Sequence, residues 1–179
     1  MKASNRKVHK FIGLVVSVQL LLWTISGIFF SFNKIDQIRG ENYLKSVEQI
    51  TSEKISKISF DEAKAIVIEK TFLKPISVEE ITEEKRGSEF RGRNLPLYKL
   101  SSLDSSDKEV NVYVDPSLGK IVAIRTFEWR LWDLMWGLHI MDWRDRDNIN
   151  NLLLKIFSIL ALISSITGII LFFRPKSKA

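Results

Sequence analysis

Phe11–Phe32 reads FIGLVVSVQLLLWTISGIFFSF and contains no charged side chain. At about 1.5 Å rise per residue, about 20 residues cross a hydrocarbon core of about 30 Å, so this run is long enough to span a bilayer. A secretory signal peptide is the competing reading, because Lys2, Arg6, Lys7 and Lys10 form a basic leader. The apolar run exceeds the usual ~7–15 residues of such a peptide and no A-x-A-like site follows it, so a membrane helix is expected. Leu152–Phe173, LLLKIFSILALISSITGIILFF, repeats the pattern near the other end, broken only by Lys155, whose stem can snorkel to the headgroups.

Charge agrees with this division. Residues 33–150 hold all 21 acidic side chains and 19 of the 27 basic ones, leaving 8 basic and no acidic residues beside the apolar runs. The net charge of +6 therefore reflects basic membrane flanks rather than a phosphate-binding surface, and no nucleic-acid partner is expected. Arg174, Lys176 and Lys178 follow the second run as the basic leader precedes the first. Both termini are expected in the cytoplasm and residues 33–150 outside it. The chain has no cysteine, which removes disulfides, thiolate metal sites and covalent c-type haem attachment.

Between the runs, ISFDEAKAIVIEK reads as a helix, with Ser59 or Asp61 at its N-cap and Ala63, Ile66 and Val67 on its apolar face. Four strands follow: ISVEEITEEKR, PLYKLSS, EVNVYV and KIVAIRT. Val110, Val112 and Val114 alternate with other residues as in a half-buried strand, and DPSLGK joins the last two strands with Pro116 and Gly119 shaping a hairpin. GSEFRGRN has the composition of an exposed loop. The expected fold is α+β: two transmembrane helices flank a domain in which one helix packs on an antiparallel sheet.

ISFDEAKAI, LPLYKL and VNVYVDPSLGKIVAI resemble the PepSY domain. With RKVHKFIGL at the start and LWDLMWGLHIMD before the second apolar run, the chain resembles PepSY-associated transmembrane-helix proteins over residues 6–173. The expected organisation is a cytoplasmic segment 1–10, a transmembrane helix 11–32, a connector 33–57 and a PepSY-like domain 58–126. An interfacial helix and loop 127–150, a second transmembrane helix 151–173 and a cytoplasmic tail 174–179 complete it.

Only two histidines occur, His9 and His139. On a helical wheel His9, Gly13, Val16, Leu20, Trp23 and Gly27 share one side of the first run, and Ala161, Ser165 and Gly168 one side of the second. Close helix packing explains such glycines, and room for a flat cofactor is the alternative. If EWRLWDLMWGLHIMDW is helical, Trp129, Trp132, Trp136, His139 and Trp143 fall within an arc of about 80°. That stripe reads either as an interfacial aromatic belt or as the wall of a haem pocket.

Larger four-span PepSY-associated proteins resemble this chain at both ends and include bacterial ferric-siderophore reductases, whose transmembrane histidines bind b-type haem. His9 in the RxxHxxxG-like start and His139 in the LHxxD-like stretch match their histidine positions. The resemblance implies haem b with His9 and His139 as axial ligands, and Gly13 and Trp136 at the pocket. This chain departs from those proteins in having two spans and two histidines, about a bilayer apart, so each ring needs a partner from a homodimer or another membrane subunit. Electron transfer toward ferric chelates is one expected function. The other is a non-enzymatic, membrane-anchored module binding a periplasmic peptide, a peptidase or another envelope protein, as PepSY domains in peptidase propeptides suggest.

No catalytic residue stands out, and no metal beyond haem iron is expected. Asp133, Asp142, Asp145 and Asp147, interleaved with Arg144 and Arg146, and the cluster Glu79, Glu80, Glu83 and Glu84 read as solvated, charge-balanced surface.

Overall fold

A computed structural model describes residues 2–45 and 57–173 of the chain. Residues 46–56 of the expected connector and the basic tail 174–179 lie outside the described residues. The elements run α1 (Lys2–Phe32), α2 (Ile35–Ile38), a 3-10 turn (Glu41–Tyr43), α3 (Phe60–Lys70), β1 (Lys74–Ile81), β2 (Leu97–Leu103), β3 (Glu109–Asp115), β4 (Lys120–Arg125), α4 (Phe127–His139) and α5 (Leu152–Phe173). They form two compact units, one from Ser31–Leu134 and one from Met1–Phe30 with Met135–Ala179.

The central unit is an antiparallel sheet in the order β1-β2-β3-β4 with α3 packed on it. Helix α3 starts at a capping box: the Ser59 hydroxyl accepts from the Glu62 amide at 3.3 Å, and the Glu62 carboxylate accepts from the Ser59 amide at 2.7 Å. Ser59, rather than Asp61, is therefore the cap. Ala63 and Val67 then face the core with Leu100, Val110, Val112, Val114 and Ile124. In the β3–β4 hairpin, Gly119 has φ of 59° and the Asp115 carboxylate accepts from the Ser117 and Leu118 amides.

Three features differ from the sequence reading. Strand β1 stops at Ile81, which pairs with Leu97 at the end of the ladder, so the charged run after it has no cross-strand partner. Strand β3 is buried on both faces rather than one: Tyr113 packs with Leu97 and Ala123 beneath Phe90 and Leu95. The segment after α1 is not a plain connector either, since Gly40 lies against Ile124 and Leu44 bridges to Thr71.

In the other unit, α1 and α5 are long and apolar enough to cross a membrane, and α1 continues as helix back to Lys2. Their residues meet antiparallel: His9 lies by Thr167 and Gly168, and Gly13 by Ser164. The shielded positions of α1 include His9, Gly13, Val16, Gln19, Trp23, Ser26 and Phe30, whereas Leu20 and Gly27 are exposed. On α5 Ala161, Ser164, Thr167 and Gly168 are shielded, and Ser165 is not. The expected stripes are corrected because the partner changes along α1: His9 and Gly13 meet α5, whereas Gln19, Trp23 and Ser26 meet Leu138 and His139. The opposite faces carry Phe11, Leu14, Val18 and Leu21 on α1 and Leu152, Ile159, Leu162 and Phe172 on α5, all exposed as lipid-facing positions require.

Candidate functional site: two hydroxyl-held histidines

His9 sits on the packed face of α1, with its Nδ1 2.7 Å from the Thr167 hydroxyl of α5. That hydroxyl is also 2.7 Å from the Ile163 carbonyl and 3.1 Å from the Ser164 carbonyl. The hydroxyl thus bridges the α5 backbone and the ring, holding the imidazole through Nδ1 and leaving Nε2 outside that hydrogen bond.

His139, the last residue of α4, repeats the arrangement. Its Nδ1 is 2.8 Å from the Ser26 hydroxyl, which is 2.8 Å from the Leu22 carbonyl and 3.1 Å from the Trp23 carbonyl. Here too the ring is held through Nδ1, with Nε2 outside that hydrogen bond. Trp23 Nε1 donates to the His139 carbonyl at 2.7 Å, satisfying one of the acceptors that a helix C-terminus leaves open. Around the ring stand Trp136, stacked at 10° with centroids 6.4 Å apart, Trp23 at 6.4 Å and Phe30 edge-on at 5.7 Å.

The two rings are not brought together. Ser26 is 17 residues from His9 along α1, which at about 1.5 Å per residue separates the sites by about 26 Å. Gly13 packs against α5: a Cβ there would lie 3.7 Å from the Ser164 hydroxyl. A groove beside His9, walled by Val8, Ile12, Ile163, Thr167, Ile170 and Leu171, has a volume of about 280 Å³. That falls just below the range of small-molecule and cofactor pockets, about 300–1,000 Å³.

The aromatic stripe divides. Met141 adopts φ of 56° after α4 has ended at His139, so Trp143 leaves the helical arc and is 57% exposed. Trp129 is buried in the central unit, with the Arg125 guanidinium 4.3 Å from its ring centroid.

Two further expectations are corrected there. The stretch GSEFRGRN is not a plain exposed loop, for Glu89 accepts from Asn111 at 2.8 Å, from Tyr113 at 3.0 Å and from the Arg130 guanidinium. Burial works to raise the Glu89 pKa, but the hydrogen bonds from Arg130, Asn111 and Tyr113 outweigh it and hold the carboxyl below its ordinary value. Asp133 is not solvated surface: it is 1% exposed and forms an ion pair with Arg91 of the same loop. Asp142 folds the following turn by accepting from the Asp145, Asp147 and Asn148 amides. Glu79 and Glu80 pair with Lys99 and Lys57. Among the described residues no group of three His, Cys, Asp or Glu is placed to hold a metal ion.

The family model described as PepSY-associated TM region matches residues 6–179. The chain belongs to that family. It is a PepSY-associated membrane protein, with an α+β domain between two helices long and apolar enough to cross a membrane. No curated protein and no solved structure matches the chain.

The donor chemistry of both histidines fits an iron ligand. A metal-binding imidazole presents one nitrogen while a hydrogen bond at the other holds the ring, and the Thr167 and Ser26 hydroxyls stand at hydrogen-bond distance from the Nδ1 of each ring. Neither hydroxyl stands out in the sequence. Each is a serine or threonine on a shielded helix face whose histidine partner lies more than a hundred positions away in the chain.

Proposed function

We propose that this PepSY-associated protein binds haem b through His9 and His139 and carries electrons across a bacterial inner membrane, in service of ferric-chelate reduction or iron uptake. One observation carries the reading: each histidine has Nδ1 within hydrogen-bond distance of a hydroxyl on another helix, which holds the ring and leaves Nε2 as the nitrogen to take a ligand. Gly13 keeps the helices close beside His9, and Trp136 stacks on His139.

A bound bis-histidine haem supplies reversible one-electron chemistry. The chain's residues orient the two rings and surround them with apolar and aromatic walls. Because the rings are about 26 Å apart, each site takes its second ring from another copy, related by a two-fold axis along the membrane normal. Basic flanks at both ends support cytoplasmic termini, with His9 near the inner face and the central domain periplasmic. A heterologous membrane subunit would meet the same need.

The test is the absorption spectrum of detergent-purified protein from haem-supplemented cells, oxidised and dithionite-reduced, with His9→Ala and His139→Ala beside it. The symmetric dimer predicts a reduced b-type α band at about one haem per chain, with about half lost in each variant. A folded, colourless wild type refutes haem binding and favours the membrane-anchored binding module.

A further inference from the structure

The central unit contains a second concave site, independent of the histidines. A groove of about 510 Å³ runs beside β4, lined by the consecutive residues 121–125 and by Arg39, Glu41, Arg93 and Trp129. Consecutive residues of a strand point to opposite faces, so all five share one groove only along the strand's edge. No strand among the described residues pairs with that edge.

The charges in this groove are unbalanced: three guanidiniums face one carboxylate, Glu41. Arg125 is held from below, with its Nε donating to the Glu89 carbonyl at 2.9 Å, one terminal nitrogen donating to the Ile124 carbonyl at 3.1 Å, and its plane over Trp129. Among the described residues it has no ion-pair partner, because Glu89 is taken by Arg130. Burial, then repulsion from Arg93, pushes its pKa down to about 10, so it remains cationic at neutral pH. Arg39 and Arg93 are exposed and have no ion pair among the described residues. A half-buried guanidinium repelled by a second and without a carboxylate partner among the described residues is unfavourable, and an entering anion relieves it.

Two occupants compete for such a groove, a compact anion and an added β-strand. The register of β4 decides between them. A bulge at Val122 shifts the pairing from Tyr113↔Ala123 to Val114↔Ile121, and bulges blunt an edge against strand addition. The volume also lies within the range for small ligands. We infer that the β4-edge groove is a binding site for a compact polyanion carrying two or more carboxylate or phosphate groups, gripped by Arg39, Arg93 and Arg125 beside Trp129.

The experiment is calorimetric titration of the full chain in detergent with citrate and with pyrophosphate, using chloride at matched ionic strength as the blank. Arg39→Gln and Arg93→Gln test the site, since both side chains are exposed and near-ultraviolet circular dichroism verifies that each variant folds. Saturable binding of either probe, weakened at least about tenfold in both variants and further by salt, supports the assignment. No binding, or binding indifferent to both substitutions, overturns it. A third arm uses an extended peptide alternating glutamate and valine, and binding of that peptide alone overturns the compact ligand in favour of strand addition.

Discussion

Gly40→Ala should destabilise the central domain well beyond the matched change Gly92→Ala. Gly40 has φ of 75°, in the left-handed region where an L-residue costs about 1–2 kcal/mol. A Cβ at this position would lie 2.7 Å from Ile124 Cγ2 and 2.8 Å from Ile124 Cβ, well inside contact distance. Ile124 packs in the core with Ala63, Val67 and Val112 and borders the β4-edge groove on its other side, so overpacking adds about 1–3 kcal/mol. The total is about 2–5 kcal/mol. Gly92 provides the control: its φ is 71°, but a Cβ there meets nothing within 4 Å, so Gly92→Ala carries the backbone cost alone. The assay is amide hydrogen exchange of β3 and β4 in the intact, detergent-solubilised chain. A loss of about 2 kcal/mol accelerates exchange about thirtyfold where it proceeds through domain opening. Equal acceleration in the two variants, or less in Gly40→Ala, would refute the steric argument.

Three other outcomes follow from the same geometry. Arg91→Ala leaves the buried Asp133 carboxylate without its guanidinium and should cost about 3–5 kcal/mol; adding Asp133→Asn should recover part of the loss in the same exchange assay. Ser59→Ala removes the capping box of α3 and should cost about 1 kcal/mol, seen as faster exchange confined to the first turn of that helix and its neighbours. Glu89 is held below its ordinary value of 4.5 in the folded domain, so its stabilisation is complete above that value and is lost as pH falls through the lower folded value. Acid unfolding of Glu89→Gln should accordingly depend less steeply on pH than that of the wild type, and an unchanged slope would sink this account of the carboxylate.

Local pattern determined much of this protein. The two uncharged or nearly uncharged apolar runs, the α3 cap, the four-strand meander and the DPSLGK turn were legible because each depends on residues close together in the chain. His9 and His139 stood out by scarcity and by family resemblance, and both lie on packed faces. What the linear pattern does not carry is which distant groups meet. Ser26 meets His139 across 113 positions and Thr167 meets His9 across 158, so no local periodicity marks them as partners. Arg91 and Asp133 read as solvated charge until tertiary packing buries one against the other. Ion pairs and hydrogen-bond networks depend on burial and direction, which chain order does not specify, whereas helix, strand and span follow from periodicity and length. Only the tertiary structure decided that both imidazoles meet a hydroxyl at Nδ1, and that β4 borders an arginine-lined groove.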